Sequence, residues 1–468
     1  MLTGLLRLYN SLGRKVVPFK PLREGEVRMY TCGPTVWNYA HIGNFRTFTF
    51  EDVLRRYLVY KGYKVTQVKN LTDVEDKIIR GMKETGKSLK ALTDFYTEAF
   101  MRDMEALNFH KADVYPRATD HIPEMLSMID SLIRSGHAYK SDDGSVYYSI
   151  RTFDRYGALS GVKPAELEDG ARVSEDHYEK MGAHDFALWK AWVPEDGEVF
   201  WENELGKGRP GWHIECSAMA IRYLGESFDI HTGGKDLRFP HHENEIAQSE
   251  AATGKTFARY WLHTEFLNIG GAEMHKSSGN IVTVRELLEK GYNPRALRLF
   301  LISAHYREEL NLTDDSLEQA TKNIERADEF VGRLKSGVFD SSTDLGESSS
   351  SSFVAEFEES MDDDLNLPQA LAALYGFQRT INSAIDAGRV SKSGRDAALG
   401  ALKKVDSVLG VLRFEDEVLP DALMSLVKER EAARKKGDYK RADELRDELK
   451  QKGIVVQDAP GGTKWKRA

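Results

Sequence analysis

The pattern of apolar and polar positions divides the chain into an alternating first part and a helical second part. Residues 26–32, EVRMYTC, interleave apolar Val27, Met29 and Cys32 with polar residues and predict a strand. PTVWNYAHIGN then reads as a loop. A helix follows from about Asn44, with Phe48, Val53, Leu54, Tyr57 and Leu58 roughly on one face. YKVTQVKNLTDVEDKII predicts a second strand, a turn and a new helix. This alternation predicts an α/β fold with a parallel sheet.

Residues from about 115 to 210 break the rhythm and read as an insertion, with hairpin-like SDDGSVYYSI and the charged run PAELEDGARVSEDHYEK. The rhythm returns with ESFDIHTGGKDL, a strand ending in glycines, and repeats in YWLHTEFLNIGG. Beyond about 290 the pattern is helical. Ile324, Ala327, Val331 and Leu334 share one stripe; Leu371, Leu374, Phe377 and Ile381 share another, with Pro368 near the helix start. Between them the serine-rich stretch 341–353 reads as a linker or loop. The expected domains are 1–310, 311–415 and 416–468.

Composition changes this picture little. A chain of 468 residues with 41% hydrophobic and 30% charged residues is an ordinary globular mix for two to four domains. No apolar run is long enough to span a bilayer, and the N-terminus lacks a signal peptide's apolar core. Only two cysteines are present, which excludes a disulfide framework and predicts a cytoplasmic setting. The net charge of -9 argues against bulk nucleic-acid affinity but permits a local basic surface. Residues 428–467 form such a surface, with 13 Lys/Arg against 8 Asp/Glu. They predict two helices joined near Gly437 and Asp438, with Leu445 and Leu449 as a packing stripe. A short strand, IVV, and a tail with Trp465 between Lys464 and Lys466 follow. A solvated helical hairpin with a frayed tail is the plainer reading; base stacking on Trp465 is the functional one.

The two cysteines, Cys32 and Cys216, lie far apart in sequence. FPHHENEIAQ places His241 and Glu245 four apart, on one face of a helix. The four residues together make a full tetrahedral set of zinc ligands. With no CxxC pair the plainer alternative stands beside it: a surface His/Glu pair and two small buried hydrophobes. His242 and Glu243 are equally admissible by composition. A helix start at His41-Ile42-Gly43-Asn44 offers N–H groups suited to phosphate, although a turn histidine is the commoner role. Gly233, Gly234 and Asp236 after a strand suit adenine approach and ribose hydroxyls, and Lys276-Ser277 suit a phosphate loop.

The motifs TCGPTVWNYAHIGN, NLTDVEDKII, GRPGWHIECSAMA, FDIHTGGKDLRFPHHENEIAQ and KSSGNIVTV make the chain similar to the cysteinyl-tRNA synthetases, class I aminoacyl-tRNA ligases. The similarity continues into ADELRDELKQKGIVVQDAPGGTKWKR and so spans nearly the whole chain. It implies a Rossmann-like catalytic domain with an insertion, an α-helical bundle and a small C-terminal anticodon-binding unit. It implies one zinc per chain on Cys32, Cys216, His241 and Glu245, which also takes the substrate thiolate as fifth ligand. It implies Trp212 and Thr72 around the cysteine, and His41, Asn44 and Lys276 on the phosphates of ATP with Mg²⁺. It gives Gly233, Gly234 and Asp236 to adenosine, and Arg434, Asp443 and Asp458 to anticodon bases. The implied partners are L-cysteine, ATP and tRNA(Cys), and the expected state is a monomer with no membrane association.

The chain departs from the family at the phosphate loop. The usual Lys-Met-Ser-Lys-Ser reads Glu273-Met274-His275-Lys276-Ser277, so a carboxylate replaces the first lysine. Lys235 is a candidate substitute cation. Two rivals follow: a related ligase joining cysteine to an amino-sugar, which lacks the C-terminal unit, and a synthetase-like RNA-binding protein without aminoacylation activity.

Overall fold

The computed structural model describes residues 5–162, 172–173, 185–273, 281–342, 344–415, 421–452, 454–459 and 462–467. Its centre is a four-stranded parallel sheet of β1 (Glu26–Thr31), β2 (Lys64–Lys69), β3 (Phe228–Gly234) and β4 (Ala258–Thr264). The order across the sheet is β4-β3-β1-β2. A parallel sheet needs crossover helices, which bury both of its faces. Val27, Met29, Tyr30, Thr31, Ile230, His231 and Thr232 are accordingly all sealed from solvent. Helix α1 (Ile42–Tyr60) joins β1 to β2, and α3 (His241–Thr253) joins β3 to β4; α2 (Trp212–Leu224) precedes β3. The first crossover runs outward on one side and the second on the other. The chain therefore reverses direction between β1 and β3, where their carboxyl ends open a crevice.

Between β2 and α2 lies the insertion. It carries a helix at Ile122–Arg134 and strands at Ala138–Lys140, Val146–Tyr148, Arg172–Val173, Asp185–Ala191 and Gly208–Pro210, which pair in a sheet of their own. Its Met125, Ile129, Leu132 and Trp189 share one hydrophobic cluster with Tyr30, Ile214 and Cys216, so it packs directly onto the central sheet.

The C-terminal part of this unit is helical: α4 (Pro294–Leu301), α5 (Asp314–Ser336), α6 (Gly346–Asp362), α7 (Leu367–Asp386) and α8 (Lys392–Leu409). Both expected apolar stripes are buried. The serine-rich stretch, expected as a linker or loop, is instead helical from Gly346 onward. Ser350 and Ser351 turn their hydroxyls onto the carbonyls of Gly346 and Glu347, four residues back. Phe353 stacks on Phe377 at 4.5 Å between ring centroids. Tertiary burial of that ring and of Phe357 and Met361 overrides the low helix preference of serine. The helices lock onto α1 of the sheet region through Tyr57, which donates to Asp362 at 2.7 Å, and through Arg298 of α4, which donates to Asp52 at 2.5 Å. Met1–Leu412 form one compact unit.

Arg413–Ala468 form a second. In it α9 (Asp421–Lys435) and α10 (Tyr439–Gln451) flank Gly437, whose φ of 78° suits a residue without a Cβ. Asp438 caps α10 by accepting from the Arg441 N–H. Leu445 and Leu449 are fully buried, as their spacing predicts. The tail, for which fraying is the plainer of the two sequence readings, is a strand: β5 (Ile454–Ala459) pairs antiparallel with β6 (Gly462–Arg467), and Val456 lies opposite Trp465.

Candidate active site

The crevice at the carboxyl ends of β1 and β3 collects the predicted ligands. Cys32 follows β1, Cys216 sits in α2, and His241 and Glu245 occupy the first turns of α3. Their ligand atoms all lie within 4.8 Å of one another, and all four side chains are buried. The i,i+4 spacing of His241 and Glu245 places His241 Nε2 3.0 Å from Glu245 Oε1. The pair is therefore internal rather than superficial.

A second donor set overlaps the first: Cys32, His231, His242 and Glu245. His231 Nε2 lies 2.9 Å from Glu245 Oε2, and His242 Nε2 lies 3.4 Å from Cys32 Sγ. Sequence reasoning admitted His242 by composition and missed His231. The signal for His231 was its place in β3, one strand over from Cys32, which becomes informative only once β1 and β3 are known to be neighbours. Glu243 is excluded from both sets, because its carboxylate accepts from the N–H groups of Gly157 and Ser160 in the insertion.

The electrostatics favour charged Glu245, His241 and Cys216 beside a neutral Cys32 thiol. Burial alone would raise the Glu245 carboxyl, but the imidazoles of His231 and His241 hold it down at about 2. Burial would lower His241; Glu245 and Cys216 reverse this and raise it to about 10. Burial would raise the Cys216 thiol, yet Cys32 and His241 bring it down to about 6. Cys32 is pushed well up by burial and by Cys216. His213 Nδ1 lies 2.9 Å from His241 Nδ1 and orients the ring so that Nε2 faces the cluster. Trp212, the first residue of α2, is half-buried with its ring centroid 4.2 Å from that of His241.

Thr72 reaches the same crevice through the backbone. Its N–H donates to the Pro34 carbonyl and its carbonyl accepts from Val36, so it lies alongside the segment that carries Cys32. Gly33 makes this approach feasible: a Cβ there would sit 1.8 Å from the Asn70 carbonyl oxygen.

His41 and Asn44 form a reciprocal cap at the start of α1. His41 Nδ1 accepts from the Asn44 N–H at 3.2 Å, and Asn44 Oδ1 accepts from the His41 N–H at 3.1 Å. The residue pair thus has a structural role as the cap of α1. The helix start is also tied to the chain at Val282, whose carbonyl accepts from the Ile42 N–H. The absence of a Cβ at Gly233 is required by the protein itself, since an added one would meet the His242 ring at 2.7 Å. At Gly234 it would meet Asp236 Oδ1 at 2.3 Å, with Thr47 of α1 3.7 Å away. Asp236 is exposed beyond these glycines. Lys235 is also exposed and pairs with Glu265 at 2.6 Å. Lys276 and Ser277 lie outside the described residues, and Glu273 belongs to the short strand Ala272–Glu273. In the second unit Arg434 lies in the last turn of α9 and Asp443 lies exposed on α10, while Asp458 lies on β5.

Residues 18–322 match the tRNA synthetases class I (C) catalytic domain, 356–413 a DALR domain, and 416–465 a cysteinyl-tRNA ligase anticodon binding domain. A cysteine–tRNA ligase of Brachyspira hyodysenteriae is 46% identical, over 98% of each chain. Another, from Chlamydia pneumoniae, is 48% identical, again over 98% of each chain. Among solved structures, the methionyl-tRNA synthetase of Mycobacterium tuberculosis in complex with methionyl-adenylate shares the fold, with a TM-score of 0.60 at 15% identity, over 82% of this chain and 90% of that one. The switch-point crevice, the three matching domains and near-half identity along the full length lead to one conclusion: the chain belongs to the cysteine–tRNA ligases, a family of class I aminoacyl-tRNA synthetases.

Proposed function

We propose that the protein activates L-cysteine with ATP and transfers the cysteinyl group to the 3′ end of tRNA(Cys). The observation that carries the reading is the convergence of two thiols, an imidazole and a carboxylate beside Trp212. This donor set fits zinc. Of the two overlapping sets we assign the metal to Cys32, Cys216, His241 and Glu245, because that set holds both soft thiol ligands. His231 then secures the other carboxylate oxygen of Glu245, and His242 donates to or accepts from His263 at 2.8 Å. Bound zinc supplies affinity for a substrate thiolate that a serine hydroxyl does not match.

In the first step a carboxylate oxygen of cysteine attacks the α-phosphorus of ATP, the bond to the β-phosphate oxygen breaks, and pyrophosphate leaves. In the second, the terminal ribose hydroxyl attacks the acyl carbon, loses its proton, and AMP leaves with the bonding pair. Neither step needs a protein nucleophile, so the protein's work is positioning and charge stabilisation. His41 Nδ1 accepts the Asn44 N–H, so the neutral ring carries its proton on Nε2, directed as a donor to phosphate. Asn44 stands in the same helix start, where N–H groups favour anions. Asp236 accepts from ribose hydroxyls beside Gly233 and Gly234, and Lys276 neutralises pyrophosphate charge with the Mg²⁺ that accompanies ATP. Thr72 and Trp212 bound the amino-acid pocket. Arg434, Asp443 and Asp458 meet anticodon bases, Arg donating and Asp accepting. The accompanying expectation is a cytoplasmic monomer; among the described residues no helix is long and apolar enough to cross a membrane.

Two assays test this reading. ATP–pyrophosphate exchange should depend on cysteine and not on serine, and tRNA(Cys) should be charged. Exchange without charging would favour the amino-sugar ligase, against which the matched anticodon-binding domain already weighs. Absence of exchange would favour a binding protein.

A further inference from the structure

Residues of α5 and α7 line a groove of about 450 Å³, most of them polar. Asn323, Arg326 and Arg333 recur along one side of α5, and Tyr375, Arg379 and Asn382 along the facing side of α7. Helical spacing brings each set onto one stripe. Arg326 and Arg333 are seven residues apart, a rise of ~10 Å along the helix. Phe330 also lines the groove, and behind it meets Phe377 edge to face at 6.1 Å. Hydrogen bonds also cross-link the walls. Asn323 donates to the Tyr375 hydroxyl at 3.3 Å, Gln378 to the Arg326 carbonyl at 2.8 Å, and Arg333 to Asn382 at 2.8 Å.

The charges are unevenly satisfied. Arg333 is half-buried and spends one guanidinium nitrogen on Asp386. Arg326 and Arg379 are exposed, and neither has a carboxylate partner among the described residues. Glu329 also lines the groove, leaving the arginines in excess there. In a chain of net charge -9, this concentrates guanidinium groups on two facing helices that the cysteine chemistry does not use. Guanidinium forks and amide donors on a semi-rigid scaffold are the donor set for phosphodiester oxygens.

We propose that the groove between α5 and α7 binds the phosphate backbone of the tRNA, with Arg326 and Arg379 as the contacting cations. This rests on the tRNA-ligase reading above and adds to it a contact to the RNA backbone rather than to its bases or its reacting end. Backbone contacts position the RNA and give affinity without reading sequence.

The test uses the full-length protein with Arg326→Glu and Arg379→Glu combined, and the Lys/Lys double variant as control. Cysteine-dependent exchange should stay at the wild-type rate in both, showing intact folding and activation. In the Glu/Glu variant the KM for tRNA should rise by about 10-fold or more, and the plot of log Kd for tRNA against log salt should become shallower by about one per arginine lost. The Lys/Lys variant, keeping both charges, should retain most of the wild-type slope. Unchanged KM and slope in the Glu/Glu variant would overturn the proposal, as would an equal fall in exchange and charging. If the wild type showed no cysteine-dependent exchange, the ligase reading would fall instead, while the salt slope of tRNA binding would still decide the groove.

Discussion

At Gly33 the space for a Cβ is taken by the Asn70 carbonyl, 1.8 Å away, so one missing methyl group sets the path of the backbone that carries Cys32. Gly33→Ala should destabilise the protein by ~1–3 kcal/mol through overpacking, measurable by denaturant unfolding. The ligand assignment makes sharper demands. Cys216→Ser should lose its zinc by metal analysis, whereas His231→Gln should keep the metal at saturating zinc with an affinity weakened by about 10–100-fold. Zinc retained by the serine variant and lost from the glutamine variant would transfer the metal to the alternative set that includes His231 and His242. Glu273 concerns the other substrate. Glu273→Lys should raise the rate of pyrophosphate exchange by roughly 10-fold or more without altering zinc content, since a preorganised charge partner carries up to 10²–10³ in rate. No change would mean that another cation already serves, and Lys235, which pairs with Glu265 and lies over the Phe266 ring, is the next residue to vary.

At the scale of the element, α1 does two jobs. Its first turn presents His41 and Asn44, and its middle is a buried ionic hub. Asp52 accepts from Arg56 at 2.7 Å and from Arg298 of α4 at 2.5 Å, and both guanidiniums also reach the backbone of the segment after the helix Leu89–Ala106. Burial raises the Asp52 carboxyl, but Arg298 and Arg56 outweigh it and hold it below its ordinary value. Burial and Arg298 pull Arg56 down, so the attraction of Asp52 does not fully offset that residue's desolvation. The net stabilisation therefore rests on Asp52 keeping both cations company. Asp52→Asn should cost ~3–5 kcal/mol near neutral pH, because two buried guanidiniums lose their counter-ion. A depressed native carboxyl adds stability above its unfolded value, about pH 4, and loses it as pH falls through the lower native value. The difference between wild type and variant, read from urea unfolding, should accordingly shrink with acidification below that point. A gap constant from neutral to strongly acidic pH would contradict the ionic account of this hub.

At the scale of the whole molecule, every residue proposed above for the cysteine and ATP sites falls within Met1–Leu412, and Arg413–Ala468 folds around its own small cluster of Val427, Leu449, Ile454 and Val456. Truncation after residue 415 should therefore leave cysteine-dependent exchange near wild type while charging of tRNA(Cys) falls steeply. Asp443→Ala in the full chain should blunt discrimination among anticodon variants without altering exchange. Equal charging by truncated and full-length protein would remove the anticodon role from the second unit.

Much of this was legible in the sequence, because helical and strand periodicities report burial directly. The strand–helix alternation around Cys32, the stripes of α5 and α7, the i,i+4 pair His241–Glu245 and the packed pair Leu445–Leu449 all follow from local spacing. Other features depended on which elements became neighbours. The helix over the serine-rich stretch exists because Phe353 finds Phe377, and the terminal strand exists because residues 462–467 find 454–459. His231 enters the cluster because β3 lies beside β1, a pairing that joins residues about 200 apart in the chain. Local pattern determined the faces, the ligand types and the family likeness. Only the tertiary structure decided that two donor sets share Cys32 and Glu245, and that a groove of arginines opens between two helices, because both are properties of contacts made across the fold.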